Sequence, residues 1–377
     1  MDWIKRALGW GGPKGYNGVN VPRLTDDEVA ARQAKRGAEI AEARRQAFAG
    51  AVRLPMREVI RGLPADGIVY QGVDHLGRLI VVTSNSDPAE TYAGRDVTQG
   101  WASFPHSTAG EAYPVEINTV RPDGSSFSVS VPDLPVAYPR FQPLSDERFL
   151  AVGGRCRLTA DGPEQNALVI GADGGIVAEF CLGDGINDLQ TTPTGRIWVS
   201  YNDEGVFGNY GWGDSDGTPP LGRSGLVRWF NEGDREFEFT PPAGLPSIAD
   251  CYALNVVGEE AWACYYTDFP VVHVGSDGSA TGWAGEVAGA HALAVLGAER
   301  VGLVGGYRGL VDRLVTADLM TDRTTVRETL QLVSPNGDEL PQRTRIIARG
   351  QKVHALTDGR WLTIDLAEIP TRRTQAS

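Results

Sequence analysis

One pattern recurs six times along the chain: a strand, a tight turn, then a strongly apolar strand. The copies fall at residues 67–84, 139–156, 186–203, 250–268, 290–307 and 343–359. A second hairpin follows most of them, at 114–131, 166–183, 225–241, 270–287 and, in a longer version, 310–332. Several of these second hairpins turn at Asp-Gly pairs, Asp123-Gly124, Asp173-Gly174 and Asp277-Gly278. Glycine there reaches the positive φ that a tight hairpin demands. Two hairpins per repeat make a four-stranded unit, with strands A to D running from the inside outward. A period of roughly 40–70 residues without intervening helices suits radial repetition better than a solenoid or a sandwich.

The last copy is one strand short. After 343–359 the chain supplies only 361–366 and then the polar tail 371–377. Residues 51–61 (AVRLPMREVIR) precede the first copy and pattern as a strand around Val52–Leu54 and Val59–Ile60. Pairing this segment with 361–366 would close the ring and protect edges that otherwise invite aggregation. The expected fold is all-β, a six-bladed β-propeller over residues 49–370 with an N-terminal strand closing the last blade. An N-terminal arm (1–48) precedes it, carrying an α-helix at about 25–48, and 371–377 reads as a disordered tail.

The arm stands outside the repeat. Thr25-Asp26-Asp27-Glu28 is a capping box, and the following run is rich in Ala, Glu, Gln, Lys and Arg, all strong helix formers. Arg44 and Arg45 near its C-terminal end complement the helix dipole. Its apolar stripe is mostly alanine (Ala30, Ala34, Ala38, Ala41). Two placements follow: against the propeller's side, or as an arm docking a protein partner with Trp3, Ile4, Ala7 and Leu8 at its tip. The first ten residues lack the apolar core of a secretory signal, and no stretch approaches the roughly 20 apolar residues of a membrane span. A cytoplasmic protein is expected. The four cysteines, Cys156, Cys181, Cys251 and Cys264, show no CxxC spacing and read as buried free thiols. Cys251 and Cys264 share a hairpin, so a disulfide between them depends on the register. The net charge of −13 disfavours nucleic acid as a partner.

In a blade, the A–B and C–D turns leave one face and the B–C and D–A connections the other. The long connections, 85–113, 202–224 and 240–249, all belong to the second face, and loops gathered on one side of a rigid scaffold are where binding chemistry sits. That face is acidic and aromatic. Asp184, Asn187 and Asp188 lie before and within the third copy. Asn202, Asp203, Glu204, Asn209, Asp214 and Asp216 follow it, and Asp250 and Asp268 bound the fourth. Tyr201, Phe207, Tyr210, Trp212, Tyr252, Tyr265, Tyr266 and Phe269 are interleaved. The ligand-binding candidates drawn from this face are Asn187, Asp188, Tyr201, Asp203, Glu204, Trp212, Asp250, Tyr252 and Asp268. His291, which opens strand A of the fifth blade, joins them. Clustered carboxylates suit Ca²⁺ or Mg²⁺, with Asp188 and Asp250 as candidate metal ligands, and crowded carboxylates can also serve as acid or base. The competing explanation is that Asp and Asn cap turns. Asp214-Ser215-Asp216-Gly217 has the look of a calcium-loop fragment but lacks the closing glutamate. No GxSxG, GxxxxGK[ST] or GxGxxG motif occurs, nor HxH or HxxxH.

Residues 186–200, INDLQTTPTGRIWVS, resemble the repeat core of the NHL, SMP-30/gluconolactonase and TolB-like six-bladed families. For SMP-30-like hydrolases the resemblance implies a divalent metal at the top centre, held by Glu, Asn and Asp at inner-strand starts. The positions that match are Asn187 or Asp188, and Asp250; no glutamate opens the first blade. Two functions follow. One is a non-enzymatic propeller binding a small molecule or protein at its loop-rich face, docked to a partner by the N-terminal arm. The alternative is a metal-dependent SMP-30-like hydrolase or lactonase using the same face. The incomplete ligand set favours the first.

Overall fold

The structure, a computed structural model, describes residues 25–86, 95–97, 103–213 and 217–369. Six antiparallel four-stranded units form a closed ring. Blade 1 runs Ile68–Val73, Leu79–Thr83, Thr108–Val120 and Ser126–Val136; blade 2 runs Pro139–Pro143, Phe149–Gly153, Ala167–Ile170 and Ile176–Phe180. Blade 3 comprises Ile186–Thr191, Ile197–Tyr201, Leu226–Trp229 and Arg235–Glu238. Blade 4 comprises Asp250–Val257, Glu260–Tyr266, Val271–Val274 and Ala280–Trp283. Ala290–Leu296, Arg300–Gly305, Arg313–Leu319 and Thr324–Val333 make blade 5, and Arg345–Arg349, Lys352–Thr357 and Arg360–Asp365 begin blade 6. Each innermost strand touches its neighbours in ring order, and the last touches the first. The fold is the six-bladed propeller expected from the repeats.

Closure uses the N-terminal segment twice. Strand β2 (Arg57–Arg61) pairs antiparallel with Arg360–Asp365 and completes blade 6. Strand β1 (Val52–Pro55) lies parallel to the outer strand of blade 5, pairing Val52 with Leu330 and Pro55 with Val333, and becomes its fifth strand. The sequence reads this region as one closing strand. The chain changes sheets at Met56, which is buried and donates its N–H to the Val333 carbonyl. Pro55 has no N–H to offer and is tolerated on an outer strand.

Hydrophobic burial is divided among the blade interfaces. Phe141 and Phe149 meet Ile80 and Ile117 between blades 1 and 2, and Tyr201 and Trp229 meet Leu150 and Phe180 between blades 2 and 3. Trp198 packs against Leu254 and Tyr265 between blades 3 and 4, and Trp262 and Trp283 face Leu293 and Leu303 between blades 4 and 5. Between blades 6 and 1 the buried set is small, Val73, Leu79, Val81, Leu356 and Trp361, supplemented by Val59 and Ile60 of β2. The closing strand therefore supplies apolar area at the seam as well as backbone pairing.

Helix α1 spans Asp26–Ala47, and both halves of the capping box form: Thr25 N–H donates to Glu28 Oε2 at 2.8 Å, and Glu28 N–H to Thr25 Oγ1 at 3.3 Å. Only its C-terminal end touches the ring. Arg44 forms a bidentate pair with Asp312 at 2.6 and 2.8 Å, donates to the Gly309 carbonyl and reaches Glu339. Residues 27–39 are exposed on every side. The apolar tip proposed at Trp3–Leu8 and the 371–377 tail lie outside the described residues.

The hairpin register separates Cys251 from Cys264. Cys251 stands opposite Tyr265 and Cys264 opposite Ala253 across a bulge. Cys251 faces blade 3 and Cys264 faces blade 5, so no disulfide can join them.

Candidate functional site

The ring encloses a cavity of about 590 Å³ lined by the innermost strands. One end is closed by side chains that meet on the axis. Blades 3 and 6 face each other across a six-fold ring, and Arg349 of blade 6 donates to Gln190 Oε1 and, at 2.6 Å, to the Thr191 carbonyl of blade 3. Asn255 of blade 4 ties the Leu293 and Gly350 carbonyls, each at 2.7 Å, and accepts from Gly350 N–H. Burial pulls the Arg349 pKa down to about 10, which still leaves it charged at neutral pH.

At the open end a repeated irregularity aims side chains inward. In blades 1, 3, 4 and 5 the A–B register slips by one residue near the start of strand A. The extra residues are Val69, Asn187, Tyr252 and His291. A bulge of this kind bends the strand and redirects the unpaired side chain, and Asn187, Tyr252 and His291 all line the cavity. The residue before the bulged pair is glycine in three of these blades. Gly67, Gly185 and Gly289 have φ of 65°, 66° and 73°. A Cβ at Gly67 would lie 2.5 Å from the Ser84 carbonyl oxygen, and one at Gly185 2.2 Å from Gly205 N. Blade 4 places Asp250 at the equivalent position, with its carboxyl at the cavity mouth.

That carboxyl receives no hydrogen bond among the described residues. Burial, with the nearby Asp203 charge second, pushes its pKa up to about 6. Asp203 lines the same mouth and opens a short helix, α2 (Asp203–Phe207), capped by Asn202. Asp188 is committed within the protein: its Oδ1 accepts from Leu189 N–H at 2.8 Å and its Oδ2 from Gln190 Nε2 at 3.2 Å. Asn187 donates its side-chain amide to the Cys251 carbonyl, linking blades 3 and 4. His291 is open to the cavity, and the protein packed on its other sides disfavours the charged ring and lowers its pKa. Its ring lies against Gly305, where a Cβ would fall 2.0 Å from Nδ1.

Opposite the acidic wall, Arg345 lines the cavity from blade 6, its guanidinium 5.3 Å from the centroid of the Tyr70 ring. No carboxylate pairs with it among the described residues. Gln142 and Thr344, both buried, line the cavity too, and neither Gln142 Oε1 nor Thr344 Oγ1 has a hydrogen-bond partner among the described residues. Beside the mouth, Tyr252, Phe269 and Tyr307 form an aromatic cluster with centroids 5.4–6.4 Å apart.

Of the sequence candidates, Asn187, Asp188, Asp203, Asp250, Tyr252 and His291 come together around the cavity. The other four lie elsewhere. Tyr201 is fully buried between blades and donates to the Leu182 carbonyl at 2.6 Å. Trp212 is buried, with Nε1 on the Cys156 carbonyl at 2.9 Å. Glu204 pairs with Arg155, which also holds Asp184. Asp268 sits exposed in a turn with φ of 66°. Residues 214–216, the calcium-loop resemblance, lie outside the described residues. Sequence reasoning missed Arg345, Gln142 and the Gln190–Arg349 floor; the Gly-x-x bulge pattern before Val69, Asn187 and His291 was the readable signal it passed over.

Among the described residues no three His, Cys, Asp or Glu side chains converge on one point, and both Asp188 oxygens are taken by protein donors.

A family model described as the YxzG family matches residues 240–295, which cover blade 4 and most of the first strand of blade 5. No curated protein sequence matches the chain. Solved structures similar to it include virginiamycin B lyase from Staphylococcus aureus (10% identity, covering 82% of this chain and 97% of that one, TM-score 0.41). Others are a streptogramin B lyase (12% identity, 82% and 96% covered, TM-score 0.40) and a protein with a provisional gluconolactonase assignment (13% identity, 84% and 94% covered, TM-score 0.35).

Proposed function

We propose that this chain is a non-enzymatic binding propeller that takes a small polar ligand into its central cavity. The ligand presents a cation or hydrogen-bond donors to Asp203 and Asp250, and an anionic or acceptor group to Arg345. One observation carries this reading. Where three blades have a left-handed glycine, blade 4 has an aspartate whose half-buried carboxyl has no donor among the described residues. Leaving such a group unpaired works against stability, so a ligand that supplies the missing partner is the simplest account of it. Tyr252 and its aromatic neighbours offer π faces to an apolar or cationic part of the same ligand. The test is calorimetric titration with amino acids, simple amines, carboxylates and neutral sugars, on wild type and on Asp250→Asn and Arg345→Met. A ligand bound by wild type and weakened by both substitutions supports the reading. Saturable binding untouched by either variant, or turnover of a lactone or ester abolished by Asp250→Asn, would replace it with the enzymatic one.

The exposed length of α1, carried on the Arg44 anchor, supports a second part of the proposal: that the arm docks a protein partner. Deleting residues 1–39, which leaves the anchor in place, should release a co-purifying partner while cavity binding persists.

A further inference from the structure

Away from the cavity mouth, two thiols lie side by side. Cys156 Sγ is 3.5 Å from Cys181 Sγ, although the residues are 25 positions apart in sequence. Cys156 follows the second strand of blade 2, is fully buried, and is held in place through both backbone groups. Its N–H donates to Asp184 Oδ1 at 2.8 Å, and its carbonyl accepts from Trp212 Nε1 at 2.9 Å. Cys181 is half-buried at the end of the outer strand of the same blade, and Gly183 N–H donates to its sulfur at 3.3 Å. The other two cysteines are fully buried on opposite faces of blade 4.

We propose that Cys156 and Cys181 form a reversible redox pair, oxidised to an intramolecular disulfide by low-molecular-weight disulfides. The pair is asymmetric in the way this chemistry needs. The Cys156 S–H and the Gly183 N–H both stabilise a negative Cys181 sulfur and lower its pKa, whereas the buried Cys156 thiol is pushed up. Cys181 is also the accessible member. Its thiolate attacks one sulfur of the oxidant RSSR, forming a mixed disulfide as the RS–SR bond breaks and the first RS⁻ leaves. That thiolate takes the Cys156 proton. The Cys156 sulfur then attacks Cys181 Sγ, forming the protein disulfide and expelling a second RS⁻, which is protonated by solvent. The cysteine that lost its proton to RS⁻ and the one that began as thiolate account for two electrons, so two protein thiols and one RSSR give one protein disulfide and two RSH. The bond would tie the connection leaving the second strand of blade 2 to the connection entering blade 3. Arg155, on the first of these connections, already pairs with Asp184 on the second and with Glu204.

The experiment treats the folded full chain with oxidised glutathione and follows free thiols by Ellman titration, with peptide mapping under non-reducing conditions. The four thiols should fall to two, with 156 and 181 in one linked peptide pair, and dithiothreitol should restore all four. Cys156→Ser should trap one glutathione on Cys181. Cys181→Ser should lower the rate at least about tenfold, because the remaining thiols are buried and protonated. Unchanged thiol content in the folded wild type, linkage through Cys251 or Cys264, or a stable glutathione adduct on wild-type Cys181 would overturn the proposal. Mapping the wild type decides the matter even if a serine variant fails to fold.

Discussion

If Asp250 is kept for binding rather than for folding, removing its charge should stabilise the empty protein. The ordinary aspartate pKa of 3.8 is raised to about 6 in the fold, by burial first and the Asp203 charge second. The direction of the pH effect follows from linkage. Between about pH 4 and 6 the folded state holds a proton that the unfolded chain has released, so stability falls as pH rises through that window. The full penalty is present above it. The difference between 3.8 and about 6 corresponds to about 3 kcal/mol. The carboxyl is partly open to the cavity, and solvent screening reduces the effective figure to about 1.5 kcal/mol. Asp250→Asn keeps the side-chain volume and removes the charge. Urea unfolding followed by tryptophan fluorescence should show the variant more stable than wild type by about 1.5 kcal/mol at pH 8. The gap should shrink through pH 5 and vanish below pH 4, with the urea m-value unchanged. A variant equal to or weaker than wild type at pH 8 would mean that an interaction within the protein satisfies Asp250, and the argument for a ligand there would fail.

Gly305→Ala places a Cβ against the His291 ring at a φ of 105°; it should cost about 1–3 kcal/mol by urea melt and weaken any cavity ligand, because His291 must move. Unaltered binding would remove His291 from the site. Arg44→Met leaves the buried Asp312 carboxylate, among the side chains of the described residues, with only Gln331 Nε2 at 3.1 Å, and should destabilise by about 2–4 kcal/mol. Most of that loss should be recovered in the Arg44→Met/Asp312→Asn double variant; strictly additive losses would argue against the pair as the helix anchor. Deleting residues 1–61 removes both closing strands, exposes the edge of Arg360–Asp365 and should yield aggregated protein by light scattering, whereas deleting 1–24 should not.

Much of this architecture could be read in advance because hairpin signals are local. An Asp-Gly pair between alternating apolar residues fixes a turn wherever the chain goes afterwards, and the capping box at Thr25 and Glu28 is complete within four residues. The missing strand in the last copy was a matter of counting. What could not be read was where the supply would divide. Residues 51–61 satisfy two blades, because Met56 buries itself between them and the outer strand of blade 5 is long enough to take a parallel partner.

The candidate site divides along the same line. By itself the sequence determined the six repeats, the face on which the long connections gather, and the acidic and aromatic character of blades 3 and 4. Those are properties of neighbouring residues. Only the tertiary structure decided that Asp203, Asp250, Tyr252 and His291 share one cavity with Arg345, while Tyr201, Trp212 and Glu204 hold the blades and loops together. It also decided that Cys156 lies beside Cys181, and that Gln190 and Arg349 close the channel. The physical reason is ring closure. A propeller brings residues of distant blades onto a common axis, and which side chains point there depends on bulges and glycine dihedrals whose effect appears only once all six blades are in register.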